Sequence, residues 1–356
     1  MRSRAVWTTT AAVALLGATA HAQTTATAPA AAAAPPAQAS GDLQTAIAGY
    51  ASYHIDVSEL RSARITSNDA LEAALDRVGR HNKSAMTRGW IAYGAQTAAQ
   101  SPAFVQGVRD AAAYYGRDAV IWAISADPSY ARGLRGGQEA TRMLLDSANA
   151  DSSRVIGVAD RYQEMAYSMQ RQRWANAVAP GQAARLQRIR SLAAPGSATV
   201  LPEDVAPHLM AATLSVSPSA DPTALGGRRF WDAVHGGTDV VAVSATPATT
   251  QWRVNVTRGE ALDRMSAVAA LQALDATAAN QSAVSRLLDD PRSRDCFEMA
   301  QLQLYQCMSA AHFRYENAFC LGQHGLRDVG LCIGAVGQPD PSAMTPLPSA
   351  AATSRP

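Results

Sequence analysis

No cysteine occurs in this chain before Cys296, and then four stand between Cys296 and Cys332 of a 356-residue protein. Their spacing, C-x10-C-x12-C-x11-C, contains no close pair of the C-x-x-C kind that zinc sites use, so no metal site is expected from them. Lysine is nearly missing: Lys83 is the only one, a bias that reads as coding composition together with the many alanines and arginines. Aromatic residues make up only 6% of the chain while apolar residues make up 47%, much of it alanine. Such a core is built from close-packed helices with small side chains. An excess of charge is absent too. There are 31 basic and 29 acidic residues, and removal of the first 22 residues takes away two arginines and no acid. No global electrostatic argument for nucleic acid or a membrane follows, and no nucleic-acid partner is expected. Also absent are the G-x-S-x-G elbow, the P-loop, S-x-x-K and H-E-x-x-H. No cofactor is expected from any motif.

What is present begins with MRSRAVWTTTAAVALLGATAHAQ. Arg2 and Arg4 form a charged start, Ala11 to Ala20 a short run of small and apolar residues, and Ala20-His21-Ala22 a small-x-small cleavage site. Residues 1–22 read as a signal peptide, and the protein is expected to be periplasmic or secreted. The run is shorter than the ~20 residues that span a bilayer, so no transmembrane span is expected in the mature chain. Residues 23–40 are an Ala/Pro/Thr linker and residues 337–356 a Pro/Ser tail, both expected to be disordered. Residues 41–336 remain, enough for one large domain or two medium ones, with a soft subdivision near 194–226 where prolines cluster.

The pattern across 41–336 is helical, and the expected class is mainly α, a multi-helix bundle-like domain. Ser101-Pro102 opens a helix that runs to Tyr115 and stops at Gly116; Asp118 starts another that ends at Asp127-Pro128. Val155, Val158, Tyr162, Met165 and Met169 form one apolar seam, which predicts a helix over 153–179, capped by Asp151 or Ser152 and ended by Pro180. Residues 259–288 read as a second long helix, and Pro291 separates it from the cysteine segment. Trp252, Val254 and Val256 alternate with polar residues, which predicts a small β-hairpin near 239–257.

Export gives the cysteines a role, because thiols outside the cytoplasm are oxidised and an even count reads as two disulfides. Eleven residues of α-helix turn through about 1100°, so Cys296 and Cys307 share a stripe, too far apart to bond to each other. A helical hairpin would join Cys296 to Cys332 and Cys307 to Cys320. The crossed pairing, Cys296 to Cys320 and Cys307 to Cys332, is the rival. The nested pairing needs a bend near Ser309, whereas the evident breaker, Gly322-Gln323-His324-Gly325, follows Cys320.

Three features could carry function. From Met165 to Pro202 no acid occurs, while Arg171, Arg173, Arg185, Arg188 and Arg190 surround Trp174. Arginine offers bidentate contacts to phosphate or carboxylate. Arg132 and Arg135 lie in a glycine-rich loop before a helical run, where backbone N–H groups and the helix dipole favour an anion, although Glu139 already brings negative charge. His312 with Glu316, and His324 with Asp328, are spaced to share a helix face and could bind a metal or transfer protons. Each has a plainer reading: a solvated face paired to acids, a simple loop, and histidines hydrogen-bonded inside a stapled hairpin. The leading expectation is a non-catalytic envelope protein that binds another envelope protein or an anionic envelope polymer through the arginine face. The alternative is an envelope hydrolase or metal-dependent enzyme using the His/carboxylate pairs.

Overall fold

The start and stop signals of the sequence fix many element boundaries. The computed structural model describes residues 37–194, 201–215, 225–237 and 251–340. These form α1 (Ala37–Ser62), α2 (Asn68–Gly79), α3 (Lys83–Ala98), α4 (Pro102–Tyr115), α5 (Arg117–Ala126), α6 (Ser129–Gly133), α7 (Gly137–Met169), α8 (Gln182–Leu192), α9 (Val205–Ser215), α10 (Gly227–Gly236), β1 (Trp252–Val254), α11 (Glu260–Ala273), α12 (Gln281–Leu288), α13 (Pro291–Ala310), α14 (Arg314–Cys320), α15 (Asp328–Gly334) and β2 (Gly337–Pro339). A π-helical segment, Leu321–Arg327, joins α14 to α15. The protein is mainly α, with one two-stranded sheet among the described residues.

Local chemistry explains the well-defined ends. Ser101 Oγ accepts from the Phe104 N–H, Pro102 occupies the first turn of α4, and Gly116 ends it at φ 92°. Asp290 caps α13 by accepting from the Ser293 N–H, with Pro291 in the first turn. The end of α11 is closed differently. Asp275 adopts φ 49°, and Arg117 donates to the Leu274 and Asp275 carbonyls. That closure splits the helix expected over 259–288 into α11 and α12.

The long helix also departs from its expected limits. It runs Gly137–Met169 rather than 153–179, and Asp151 and Ser152 lie inside it. Asp151 does not cap, because its carboxylate is turned inward onto buried donors described below. Beyond Met169 the chain leaves the helix to pair with another segment: the Ala179 N–H donates to the His312 carbonyl, and Val178 bridges Phe313. The predicted seam holds, with Val155, Val158, Tyr162 and Met169 buried and Met165 partly so.

At about 1.5 Å per residue, the 33 residues of α7 span about 50 Å. α3, α4, α10, α11, α14 and α15 all pack on it. α1 packs extensively on α3, and small residues let the two backbones approach closely. A Cβ on Gly89 would sit 2.5 Å from the Tyr50 backbone nitrogen, and one on Gly49 would sit 2.4 Å from the Ala85 carbonyl oxygen. Around this crossing several of the largest buried side chains gather, Trp90, Tyr50, Tyr53 and Tyr93 among them. The scarcity of aromatics is thus offset by concentrating them in one place and by backbone contact elsewhere.

Both disulfides are nested, Cys296 with Cys332 (Cα–Cα 5.8 Å) and Cys307 with Cys320 (5.6 Å). The bend lies at residues 311–313, between α13 and α14. The Gly322–Gly325 stretch is not a break; it continues as the π-helical segment, with Gly322 packed on α7 and Gly325 on Val78. The strand expected at 252–256 is present as β1. Its partner is β2, antiparallel, with Trp252 opposite Pro339 and Val254 opposite Gly337. Residues 239–250, the other half of the expected hairpin, lie outside the described residues. Within segments expected to be disordered, α1 already begins at Ala37 and β2 occupies Gly337–Pro339. Residues 1–36, which include the expected signal peptide, and residues 341–356 lie outside the described residues. No described helix is long and apolar enough to cross a membrane. Paired cysteines and that finding are compatible with a secreted or periplasmic protein.

Candidate functional site

Each arginine of the basic stretch now has a place. Arg185 is buried and its Nε donates to Glu72 Oε1 at 2.7 Å. Arg188 reaches Glu72 Oε2 at 2.7 Å and Asp76 Oδ1 at 2.9 Å. Acids missing from the local sequence are therefore supplied by α2. Arg190 lies over the Tyr305 ring, 5.2 Å from its centroid. Arg171 and Arg173 are exposed, and Trp174 is half-buried with its Nε1–H donating to Gln172.

The glycine-rich loop is similarly engaged. Arg132 pairs with Asp263 at 2.6 Å, Arg135 pairs with Asp110, and Glu139 in the first turn of α7 accepts from Ser101 Oγ. Of the two His/carboxylate pairs, Glu316 accepts from the His312 and Phe313 backbone N–H groups and so caps α14. His324 Nδ1 is 2.7 Å from Asp328 Oδ2, and Gln323 donates to the same carboxylate. Among the described residues, no group of three or more His, Cys, Asp or Glu side chains is placed to hold a metal ion.

A different constellation forms where α1, α7 and α10 meet. Gly226 and Gly227 adopt φ 121° and φ 71°, conformations that an L side chain rarely takes. This turn lets the Gly227 N–H reach Asp151 Oδ1 at 2.6 Å. Trp231 Nε1–H donates to the same oxygen at 2.7 Å, and Tyr50 O–H donates to Oδ2 at 2.7 Å. Three donors thus hold one buried carboxylate. Burial pushes Asp151 up to about 6, against those hydrogen bonds and the Arg154 charge.

His54 and Arg154 complete the buried group. Arg154 Nη1 lies 3.1 Å from His54 Nδ1. A guanidinium can only donate, so Nδ1 accepts and the His54 proton resides on Nε2. That Nε2 is 3.8 Å from Asp151 Oδ2 and has no hydrogen-bond partner among the described residues. Burial, with the Arg154 charge beside it, holds His54 well below its usual pKa, so it is neutral. Its ring stacks on Trp231 with centroids 4.4 Å apart. Arg154 also donates to the His54 carbonyl and to Ser58 Oγ, which fixes the plane of its guanidinium. Burial draws Arg154 down to about 10, still cationic at neutral pH.

Arg154 is where the buried group meets solvent. It lines a cleft of about 530 Å³ together with Arg61, Arg161, Arg228, Arg229 and the small residues of α7, Ala150, Ser153 and Gly157. Arg161 is fixed by donating to the Leu60, Arg61 and Ala63 carbonyls at the end of α1. Asp232 approaches three of the arginines: Arg61 at 2.8 Å, Arg228 at 3.5 Å and Arg154 at 3.9 Å. Among the described residues no carboxylate lines the cleft itself. Chemically the arrangement can hold an anion. His54 and Asp151 are too buried to touch a substrate there.

Sequence reasoning did not single these arginines out, although two signals existed. Arg154, Gly157 and Arg161 stand at i, i+3 and i+7 on one helical face. Gly226-Gly227-Arg228-Arg229 repeats the glycine-arginine pattern noticed at 132–137 and also opens a helix. No family model matches the chain, and no curated protein or solved structure is significantly similar to it.

Proposed function

We propose that this is a non-catalytic secreted or periplasmic protein, exported by the leader that ends near Ala22, that binds an anionic envelope polymer or partner in its arginine cleft. The observation that carries the reading is the cleft's composition, five arginines lining it and, among the described residues, no carboxylate. One described carboxylate, Asp232, is shared among Arg61, Arg154 and Arg228 of the cleft. Exposed Arg171 and Arg173 provide further cationic surface outside the cleft. Binding carried by such groups is weakened by salt.

The test is co-sedimentation of the mature chain, residues 23–356, with cell-wall sacculi and with anionic vesicles at low and high salt. Two variants run beside it, Arg228→Gln with Arg229→Gln, and Arg171→Gln with Arg173→Gln. The expected result is salt-sensitive pelleting that the first pair loses and the second largely keeps. Absence of pelleting with every anionic surface at low salt would overturn the reading.

A further inference from the structure

We infer that the α4–α5 corner is a membrane-docking surface, seated by its aromatic side chains in the headgroup layer of a zwitterionic phospholipid bilayer. This is a second surface, which shares no residue with the arginine cleft and does not depend on its ligand. Exposure is the first argument. Tyr114, Tyr115 and Trp122 are 82%, 64% and 73% exposed, the three most exposed aromatic side chains among the described residues. The other described tryptophans are buried or half-buried. A chain poor in aromatics, which keeps Trp90, Trp231, Tyr50, Tyr53 and Tyr93 in its core, sets these three in water. Clustered large apolar side chains in water mark an interaction surface. Tyr and Trp, apolar bodies with a polar tip, are the residues that settle at a membrane–water interface.

The fold makes the corner project. The buried residues of α4, Phe104, Gly107 and Val108, lie in its first half, and Gly116 at φ 92° turns the chain directly into α5. Residues 113–119 are all exposed, and a Cβ on Gly116 would meet nothing within 4 Å. Val120, Ile121 and Ile124 anchor α5 inward, and Trp122 lies on the opposite side with Asp118 and Ala119. Helical side chains lean toward the N-terminus of their helix, so the indole leans over the Asp118–Ala119 turn, toward the corner. Such a convex tip offers no groove to a peptide or a small molecule, whereas a soft, flat surface can cover it. Charge selects the kind of surface. α4 and α5 carry two arginines, Arg109 and Arg117, and two aspartates, Asp110 and Asp118, so they bring no net charge to attract a polyanion. Arg109 and Arg117 donate to the Ala273 and Leu274 carbonyls, and Asp110 pairs with Arg135. Half-exposed Arg117 and fully exposed Asp118 stand 3.9 Å apart, a cation beside an anion. That pair complements the phosphate and ammonium of a zwitterionic headgroup, and aromatic faces beside an acid attract a quaternary ammonium.

The test is flotation of the mature chain, residues 23–356, with phosphatidylcholine vesicles, with and without phosphatidylglycerol, at low and high salt. The triple variant Tyr114→Ser, Tyr115→Ser, Trp122→Ser runs beside it, and thermal melting checks that it folds like the wild type. A parallel arm reads tryptophan fluorescence against brominated phosphatidylcholine in the wild type and in Trp122→Phe. We expect binding to phosphatidylcholine that salt does not weaken, a loss of about tenfold or more in the triple variant, and quenching that Trp122→Phe largely lacks. Absence of flotation with phosphatidylcholine overturns the inference. So does flotation that the triple variant keeps, because the contact then lies elsewhere. Binding confined to phosphatidylglycerol vesicles and abolished by salt belongs to the arginines and also overturns it. Pelleting with sacculi, or self-association in the ultracentrifuge, that the triple variant loses while vesicles stay unbound would give the corner to a glycan or to a second copy and overturn the lipid assignment. The arginine cleft has its own variants, so either reading can fail alone.

Discussion

Replacing Asp151 by asparagine isolates the cost of ionising a carboxylate inside this protein. Asp151 is 1% exposed and held by Gly227, Trp231 and Tyr50. Desolvation nevertheless dominates and lifts it from 3.8 to about 6. The folded chain therefore takes its proton near pH 6, and the unfolded chain only near its ordinary value. Between those limits the folded state binds more protons, so this group's contribution to stability falls as pH rises through about 6. At about 1.4 kcal/mol per pH unit, the change is worth about 3 kcal/mol. His54 and His81, both held low by burial, act in the opposite direction below pH 6.5, because only the unfolded chain takes up their protons. The wild-type curve mixes these effects; the difference between wild type and Asp151→Asn removes the histidines. An asparagine oxygen can still accept from the Gly227 and Trp231 N–H groups, and its amide can donate to the Tyr50 oxygen. Urea unfolding followed by far-ultraviolet circular dichroism from pH 4 to pH 8 should show the variant gaining about 2 kcal/mol on the wild type between pH 4 and pH 7. A flat difference curve would refute the argument and place the Asp151 proton equilibrium in the ordinary range.

Other perturbations test other parts of the fold. Lys83 is buried with its ammonium 5.8 Å from the Tyr53 ring centroid, and desolvation draws it down to about 8. The folded state therefore pays for the charge below pH 8, and Lys83→Met should raise stability at pH 7 by about 1–3 kcal/mol in urea titrations, a gain that fades above pH 8. Opening the inner disulfide with Cys307→Ser and Cys320→Ser releases a loop of sequence separation 13. Chain entropy predicts a loss of about 3 kcal/mol, to be read from the denaturation midpoint with the outer disulfide intact. Gly89→Leu should destabilise by about 3 kcal/mol or more, because its side chain has only α1 backbone to displace at 2.5 Å; thermal melting measures it.

The fold was legible where the deciding chemistry is local. Ser101, Pro102 and Gly116 bracket α4, and the seam from Val155 to Met169 faces the core. One distance rule, that residues three turns apart on a helix cannot bond, excluded Cys296–Cys307 and left the nested and crossed pairings open, and the fold takes the nested one. Less could be read where distant residues decide. The inward turn of Asp151 depends on Gly227 and Trp231, some eighty positions away, so the residue resembled a helix cap. The acid-free stretch looked uncompensated because its acids, Glu72 and Asp76, come from α2. The glycines at 322 and 325 looked like a break, whereas tight packing on α7 and α2 is what needs them. The cleft was hidden for the same reason: its arginines come from three helices spread across more than 160 residues.

The nested cysteines bear on the order in which the bonds can form. Chain synthesis presents Cys296 and Cys307 first, and an oxidant acting on the nearest available pair would join them. Once α13 has formed, its rise of about 1.5 Å per residue sets these two about 16 Å apart, far outside bonding reach. The helix thus screens out the most accessible wrong bond and keeps both thiols waiting for α14 and α15. Correct oxidation then depends on α13 forming early rather than on later reshuffling. A mutation that frays α13, even one remote from any cysteine, would surface as mispaired disulfides.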